Sequence, residues 1–304
     1  MELRNRTALV TGGNGFVGAY VVRRLLEEGM RVRALVRSPA AGDELRARGA
    51  EVRLGELTDA TAHAAAVAGV DVVVHCTATG TADLAEARQV NAAATASLAE
   101  AALAAGCERF VHLSTVAVYP LQGRDGPVGE DLPLVSEGDA YSLSKAEGER
   151  AIGAAIARGL RAVILRPVVI FGVHPTSFWG TRTPAAIAAG QFVHVDEGRT
   201  RLGYVHISSV VEAVVRALRS DDPAVLGEAF NLVDGHASWS EYTRHFSAGP
   251  LPSLPADQAP GFLSFRGSYA HQKAERLLGL VPRPRFEEYL DEIVRALPST
   301  PAGG

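Results

Sequence analysis

The chain has 304 residues, 47% of them hydrophobic and 21% charged, with a formal net charge of −4. That length leaves ample room for a buried core in one large domain or two modest ones. The balance excludes the basic footprint that nucleic acid or an anionic membrane surface would require, and no apolar run approaches the roughly 20 residues of a membrane span. The opening "MELRNRTALV" goes almost directly into a strand, so no leader is expected. Cys76 and Cys107 are the only cysteines and read as free thiols, which suits a cytoplasmic protein. The nine histidines show no HxH or HxxxH spacing, so no metal site is expected.

Short apolar runs predict strands at Thr7–Thr11, Val32–Arg37, Glu51–Leu54, Val70–Cys76, Phe110–Ser114 and Arg161–Leu165. Helical spacing lies between them. Val17, Val21 and Leu25 share one face of a segment closed by Gly29, and "AAATASLAEAALAAG" and "SKAEGERAIGAAIARG" also end in glycine. Runs such as "DVVVH" are continuously apolar, as expected for strands covered on both faces. The alternation predicts an α/β fold, a doubly wound parallel sheet of the Rossmann type. After residue 166 the rhythm weakens. "YVHISSVVEAVVRALRS" returns to strand then helix, "EAFNLVDG" reads as one more strand, and the last 33 or so residues hold two short helices. Residues 1–171, with 203–233 returning, are expected to form the dinucleotide-binding part. Residues 172–202 and 234–304 are expected to form a smaller substrate-binding region that caps the sheet, with "STPAGG" fraying at the end.

Gly12, Gly15 and Gly18 punctuate the turn after the first strand, and Gly13, Gly15 and Gly18 match G-x-G-x-x-G. The first glycine permits the sharp turn, the middle one lets a pyrophosphate approach the backbone, and the last lets helix and strand pack closely. Phe16 and Val17 open a helix whose N-terminus would face the phosphates. A tight turn without a ligand would need no such context, so a dinucleotide is expected. An NAD-binding chain places Asp or Glu at the end of the second strand, on the ribose hydroxyls. Here "LVRSP" places Arg37 and Ser38 there. An acid that would repel a 2′-phosphate is missing, and an arginine that could pair with one is present, so NADP is expected over NAD.

"YSLSK" sets Tyr141 and Lys145 four apart on one helical face. A phenol with a pKa near 10 makes a poor acid or base at neutral pH, and a neighbouring ammonium would lower it. Ser114 and Thr115 sit at the C-terminal end of a central strand, the edge at which doubly wound sheets bind ligands. Either hydroxyl could hold a substrate oxygen beside the tyrosine.

The glycine turn, "STVAVYP", "YSLSK" and "LRPVVIFG", in this order and spacing, resemble the extended short-chain dehydrogenase/reductases, the NAD(P)-dependent epimerase/dehydratase group. The resemblance covers nearly the whole chain and implies these roles. Tyr141 is the general acid or base, and Lys145 supports it and holds the nicotinamide ribose. Thr115 is the catalytic hydroxyl, with Ser114 beside it. Glu56 and Leu57 meet adenine; Cys76, Thr77 and Ala78 line the pyrophosphate; Asn91 is a structural asparagine; Pro167, Val168 and Val169 contact the nicotinamide end. A homodimer through helices around 92–105 and 142–158 is also implied, and their many small residues permit close packing.

Departures from the pattern narrow the activity. Family 4,6-dehydratases follow the catalytic threonine with Asp-Glu, whereas Val116 and Ala117 stand here. Nucleotide-sugar epimerases carry an asparagine where this chain has Val169. The sequence is more similar to the branch of ketone reductases that includes dihydroflavonol-reductase-like and hydroxysteroid-dehydrogenase-like proteins. The expected activity is NADPH-dependent reduction of a ketone or aldehyde on a small molecule. Phe178, Trp179, Phe192 and Trp239 would suit an apolar or aromatic substrate, unless they serve as core. A nucleotide-sugar epimerase, for which Arg182, Arg199 and Arg201 could serve, and a non-catalytic NADP(H) sensor are the alternatives.

Overall fold

Seven of the apolar runs build one fully parallel sheet in a computed structural model that describes residues 1–259 and 261–297. The "STPAGG" segment lies outside the described residues. The strands used below are β1 (Thr7–Thr11), β2 (Arg31–Val36), β3 (Glu51–Leu54), β4 (Val72–His75), β5 (Arg109–Leu113), β6 (Ala162–Pro167), β7 (Val169–Phe171), β8 (Arg201–His206), β9 (Ala229–Leu232) and β10 (Gly235–Ser238). The helices are α1 (Phe16–Glu27), α2 (Pro39–Ala47), α3 (Ala60–Val67), α4 (Ala94–Ala104), α5 (Ala140–Ala157), α6 (Ile207–Arg219), α7 (Gln272–Leu278) and α8 (Phe286–Ala296). The large sheet runs β9-β6-β5-β4-β1-β2-β3. Its order reverses beside β1, the point at which doubly wound sheets open a crevice for ligands.

Period-two alternation decides which helix each strand residue meets. Ala8, Val10, Val72, Val74, Val111 and Leu113 face α1 and α6, packing on Val21, Leu25, Val210 and Val214. Leu9, Val73, Phe110 and Ile164 face the other way, onto Ala66, Leu98, Ala99, Ile152 and Ala155 of α3, α4 and α5. Both faces are therefore dry, and each fully buried aliphatic side chain contributes about 1.5–3 kcal/mol. The expected boundaries of the first six strands hold to within two residues at each end, and the seventh, expected within "EAFNLVDG", is Ala229–Leu232.

Beyond Pro167 the chain leaves this sheet. β7 pairs parallel with β8, and β8 pairs antiparallel with β10, forming a separate three-stranded sheet. Residues 203–206 therefore lie in the smaller sheet, while α6 and β9 belong to the larger one. The smaller sheet has its own aromatic core of Phe171, Tyr204, Trp239 and Tyr242, closed by Leu290 and Ile293 of α8. Phe171 stacks on Tyr204 and Tyr242 at centroid separations of 5.7 and 5.5 Å.

A buried ion pair ties β6 to α5. Arg166 donates from Nε to both Glu149 carboxylate oxygens at 3.0 Å, and from one terminal nitrogen to Oε2 at 2.5 Å. Its other terminal nitrogen donates to the Tyr119 hydroxyl at 2.6 Å, which donates in turn to Asn231 Oδ1 at 2.9 Å. Arg166→Met would strand a buried carboxylate, at an expected cost of about 3–5 kcal/mol, and adding Glu149→Leu should recover most of it. Urea midpoints of the two variants check this; equal losses would show that the fold does not depend on satisfying Glu149.

Candidate active site

The turn between β1 and α1 is shaped for close approach. Gly12 sits at φ +67°, and a Cβ on Gly18 would lie 2.0 Å from the Gly12 carbonyl oxygen. α1 can press against the turn only because position 18 has no side chain. Gly15 caps α1 with no side-chain acceptor, so the first N–H groups, from Phe16 and Val17 onward, are not satisfied by a cap. The turn from the adjacent strand approaches as well, since a Cβ on Gly12 would meet the Thr77 backbone nitrogen at 3.0 Å. A cradle of this kind, bare backbone donors under a positive helix end, fits a pyrophosphate.

Around the cradle, Arg37 is exposed directly after β2, and among the described residues it has no ion-pair partner, whereas Arg33 on the same strand pairs with Glu51. Ser38 accepts from the Ala41 N–H at 3.3 Å and caps α2, so its hydroxyl already has a structural task. Glu56 is exposed and Leu57 buried after β3. Cys76, Thr77 and Ala78 follow β4; burial pushes the Cys76 thiol up to about 12, so it stays protonated and unreactive. Asn91 is fully buried in a π-helical turn at Arg88–Ala93. Its amide exchanges two 2.9 Å bonds with the Thr79 backbone and donates to Ser144 Oγ at 3.0 Å. One side chain thus clips the loop after β4 to α5.

α5 starts at Asp139, whose carboxylate accepts from the Ser142 N–H at 2.9 Å and from its hydroxyl at 2.8 Å. The next turns present Tyr141, Lys145 and Glu149 on one face. Lys145 is buried, and its amine donates to the Leu113 carbonyl at 2.7 Å. Burial pulls Lys145 down to about 8, with Glu149 and Cys76 opposing. Thr115, two residues past the end of β5, accepts from the Ala117 N–H at 3.1 Å, and its hydroxyl lies beside the Tyr141 phenol. Ser114 is buried and its hydroxyl has no partner among the described residues.

One expectation is corrected here. The Tyr141 phenol is pushed up from its ordinary value, not down: burial dominates, the nearby Thr115 hydroxyl opposes it, and Asp139 adds to it. Lys145 has its amine on Leu113 and is absent from the charges acting on the phenol.

Pro167 ends β6, and Val168 and Val169 carry the chain across to the second sheet. Of the four aromatic candidates, Trp239 is core, Trp179 and Phe192 are half-buried against it, and Phe178 is exposed. Phe178 and Trp179 lie in a second π-helical turn, with ring centroids 4.8 Å apart. Arg182, Arg199 and Arg201 are all exposed, and Arg199 is paired with Glu197. Among the described residues no cluster of three His, Cys, Asp or Glu could hold a metal, and no helix is long and apolar enough to cross a membrane.

Two residues that motif reading passed over lie under the site. His75 and His112 are paired in register on β4 and β5, both fully buried, with rings stacked at 5.2 Å. His112 Nε2 is 3.4 Å from the Lys145 amine. The available signal was a histidine at the same place in two adjacent apolar strands, "VVVH" and "RFVH".

A family model described as the NAD dependent epimerase/dehydratase family matches residues 8–232. A Stigmatella aurantiaca protein named 4-hydroxy-2-methyl-3-oxo-4-farnesyl-3,4-dihydroquinoline-1-oxide ketoreductase is 34% identical, over 74% of this chain and 67% of its own. A UDP-glucose 4-epimerase of Vibrio cholerae is 28% identical, over 80% of this chain and 75% of its own. Among solved structures, the dTDP-glucose 4,6-dehydratase DesIV of Streptomyces venezuelae, with NAD and TYD bound, superposes with a TM-score of 0.80 at 25% identity, covering 95% of this chain and 96% of that one. With the matched model spanning the glycine turn, Tyr141, Lys145 and the last strand of the large sheet, this chain belongs to the NAD dependent epimerase/dehydratase family.

Proposed function

We propose that the chain is an NADPH-dependent reductase of a ketone or aldehyde on a small, hydrophobic or aromatic molecule. The observation that carries this reading is the Thr115 hydroxyl set beside the Tyr141 phenol, followed in the chain by Val116 and Ala117. It supplies one proton donor and one orienting hydroxyl for a single oxygen. Elimination chemistry needs further acid–base groups, and the two apolar residues offer none. When bound, the nicotinamide cofactor supplies the hydride. The chain's own residues do the rest: Tyr141 gives its proton to the carbonyl oxygen, Thr115 orients that oxygen, and Lys145 holds the cofactor ribose. Gly12, Gly15 and Gly18 admit the pyrophosphate, and Arg37 pairs with the 2′-phosphate. The name of the Stigmatella relative, a ketoreductase acting on a farnesylated dihydroquinoline oxide, supports an apolar ring ketone as the substrate class. The exposed Phe178 and half-buried Trp179 suit such a ring.

The epimerase reading is favoured by the Vibrio relative and by Arg182 and Arg201, exposed and without ion-pair partners among the described residues. A thermal shift with UDP-glucose and none with apolar ketones would select it.

The cofactor choice is tested at Arg37. A charge-assisted pair is worth about 1.5–3 kcal/mol, so Arg37→Ala should erase most of the preference for NADP over NAD. Isothermal titration reads this directly; wild-type protein binding both dinucleotides equally would overturn the assignment.

The acid is tested at Tyr141. Tyr141→Phe should leave folding and cofactor affinity intact and lower kcat by about 10²–10⁴-fold on a substrate whose chemistry limits the rate. Unchanged turnover would remove Tyr141 from the mechanism. Reduction spends the phenol proton. Because burial holds the phenol above its ordinary value, it stays protonated throughout neutral pH. The first group of the pair to deprotonate as pH rises is Lys145, at about 8. The rate of reduction should therefore hold through neutrality and fall as pH rises past that value; a limb centred about one unit lower would contradict the assignment.

A further inference from the structure

The two buried histidines differ in one respect. His75 has both ring nitrogens engaged, Nδ1 with Thr11 Oγ1 at 2.7 Å and Nε2 with Thr95 Oγ1 at 2.9 Å. The Thr95 hydroxyl spends its own proton on the Asn91 carbonyl at 2.8 Å. Its oxygen must then accept from His75 Nε2–H, which leaves Nδ1 to accept from Thr11. His75 is a neutral, fully satisfied core histidine. His112 is equally buried, yet its Nδ1 has no partner among the described residues. A buried ring with an unmade hydrogen bond is costly, and leucine or phenylalanine would fill the same space without that cost. The one polar contact His112 makes is with Lys145 Nζ.

We propose that His112 is a positioning residue for Lys145: its Nε2 and the Leu113 carbonyl oxygen take two of the three ammonium hydrogens and leave the third for a ribose hydroxyl of the cofactor. The ammonium has three donors and no acceptor, so Nε2 must be unprotonated and the ring proton must sit on Nδ1, the atom with no partner. Burial holds His112 well below the usual histidine range, which keeps Nε2 free to accept. The stacked His75 ring fixes the plane of His112 and cannot take its place, because both its nitrogens are engaged. The groups that face the amine are His112 and the Leu113 carbonyl from β5, Cys76 and His75 from the β4 side, and Glu149 from its own helix, with Tyr141 one turn before it. Glu149 is committed to Arg166, and Cys76 and His75 are uncharged at neutral pH. His112 is therefore the side chain left to hold the amine laterally.

The chain makes the test direct, because Lys145 and Lys273 are its only lysines. Protein labelled with carbon-13 at lysine Cε gives two signals, and Lys273→Arg assigns them. Wild-type Lys145 should titrate near 8, and His112→Phe, which keeps a ring and loses the acceptor, should lower that midpoint by about one pH unit. His112→Gln, whose amide reaches the Nε2 position, should restore it. If His112→Phe does not fold, His112→Asn replaces it: its amide is too short to reach Lys145, so the midpoint should fall while that of His112→Gln does not. An unchanged or raised midpoint in His112→Phe, or in His112→Asn where that variant is the one used, overturns the proposal. A second readout rests on the reductase reading above: NADP affinity by titration calorimetry should weaken about 10-fold in His112→Phe and recover in His112→Gln. The lysine titration uses protein alone. A chain that fails to reduce ketones but shows the shifted midpoint therefore refutes the activity and keeps the lysine seat; an active chain with an unmoved midpoint does the reverse.

Discussion

A helix that buries both a lysine and a glutamate has to find partners for them, and this necessity positions the whole site. Lys145 and Glu149 lie one turn apart on the inner face of α5. An unpaired buried charge costs several kcal/mol, so the helix can dock only where both charges are met. Glu149 finds Arg166 on β6, and Lys145 finds the Leu113 carbonyl at the end of β5. Two strands thus fix both the rotation and the height of α5. Tyr141, one turn before Lys145, is then carried to the C-terminal edge of the sheet, beside Thr115, two residues past the end of the same β5. The reactive pair is set by charges that take no direct part in the proposed proton transfer.

The cofactor cradle is joined to that helix by Asn91. A regular α-helix through residues 88–93 would direct this side chain elsewhere; the π-helical turn widens the backbone there, a distortion frequent at functional sites. Asn91 then bonds the Thr79 backbone on one side and Ser144 on the other. Thr77, two residues before Thr79, lies against Gly12. The glycine turn, the loop after β4 and α5 are thereby connected through short contacts. Shifting the loop after β4 relative to α5 would require breaking the buried Asn91–Ser144 hydrogen bond, which water cannot reach.

Legibility in the sequence followed the length scale of the constraint. The strands of the large sheet were readable because a parallel sheet covered on both faces demands continuous apolar runs, and "TALVT", "DVVVH" and "RFVHL" have no other use. The glycine turn and "YSLSK" were readable because their geometry is local, set by a few consecutive residues. β7 was not, because three residues of "VIF" become a strand only by pairing with β8, more than thirty positions later. The direction of the Tyr141 shift was misread for a related reason. Spacing places Lys145 near the phenol, but where the amine points depends on Leu113 and His112, which belong to another element. Trp239 resembled a pocket residue in sequence and proved to be core, because the second sheet's aromatic interior forms only from segments distant in the chain.

Burial gives the site its chemical character. It drives Tyr141 towards the neutral phenol, Lys145 towards the neutral amine, and His75 and His112 firmly to neutral imidazoles, while Cys76 keeps its proton. At neutral pH the edge of the sheet around Tyr141 therefore carries the buried Lys145 ammonium and the Asp139 carboxylate that caps α5. A diphosphate-bearing substrate would lose its hydration on entering such a place and recover little from it, since strong phosphate binding needs several charge-assisted donors. A carbonyl on an apolar ring loses almost nothing on entry. It needs one donor on its oxygen, and in the proposed reduction the Tyr141 phenol is that donor. Burial keeps the phenol protonated at neutral pH, which is the state the proposed reduction requires of it.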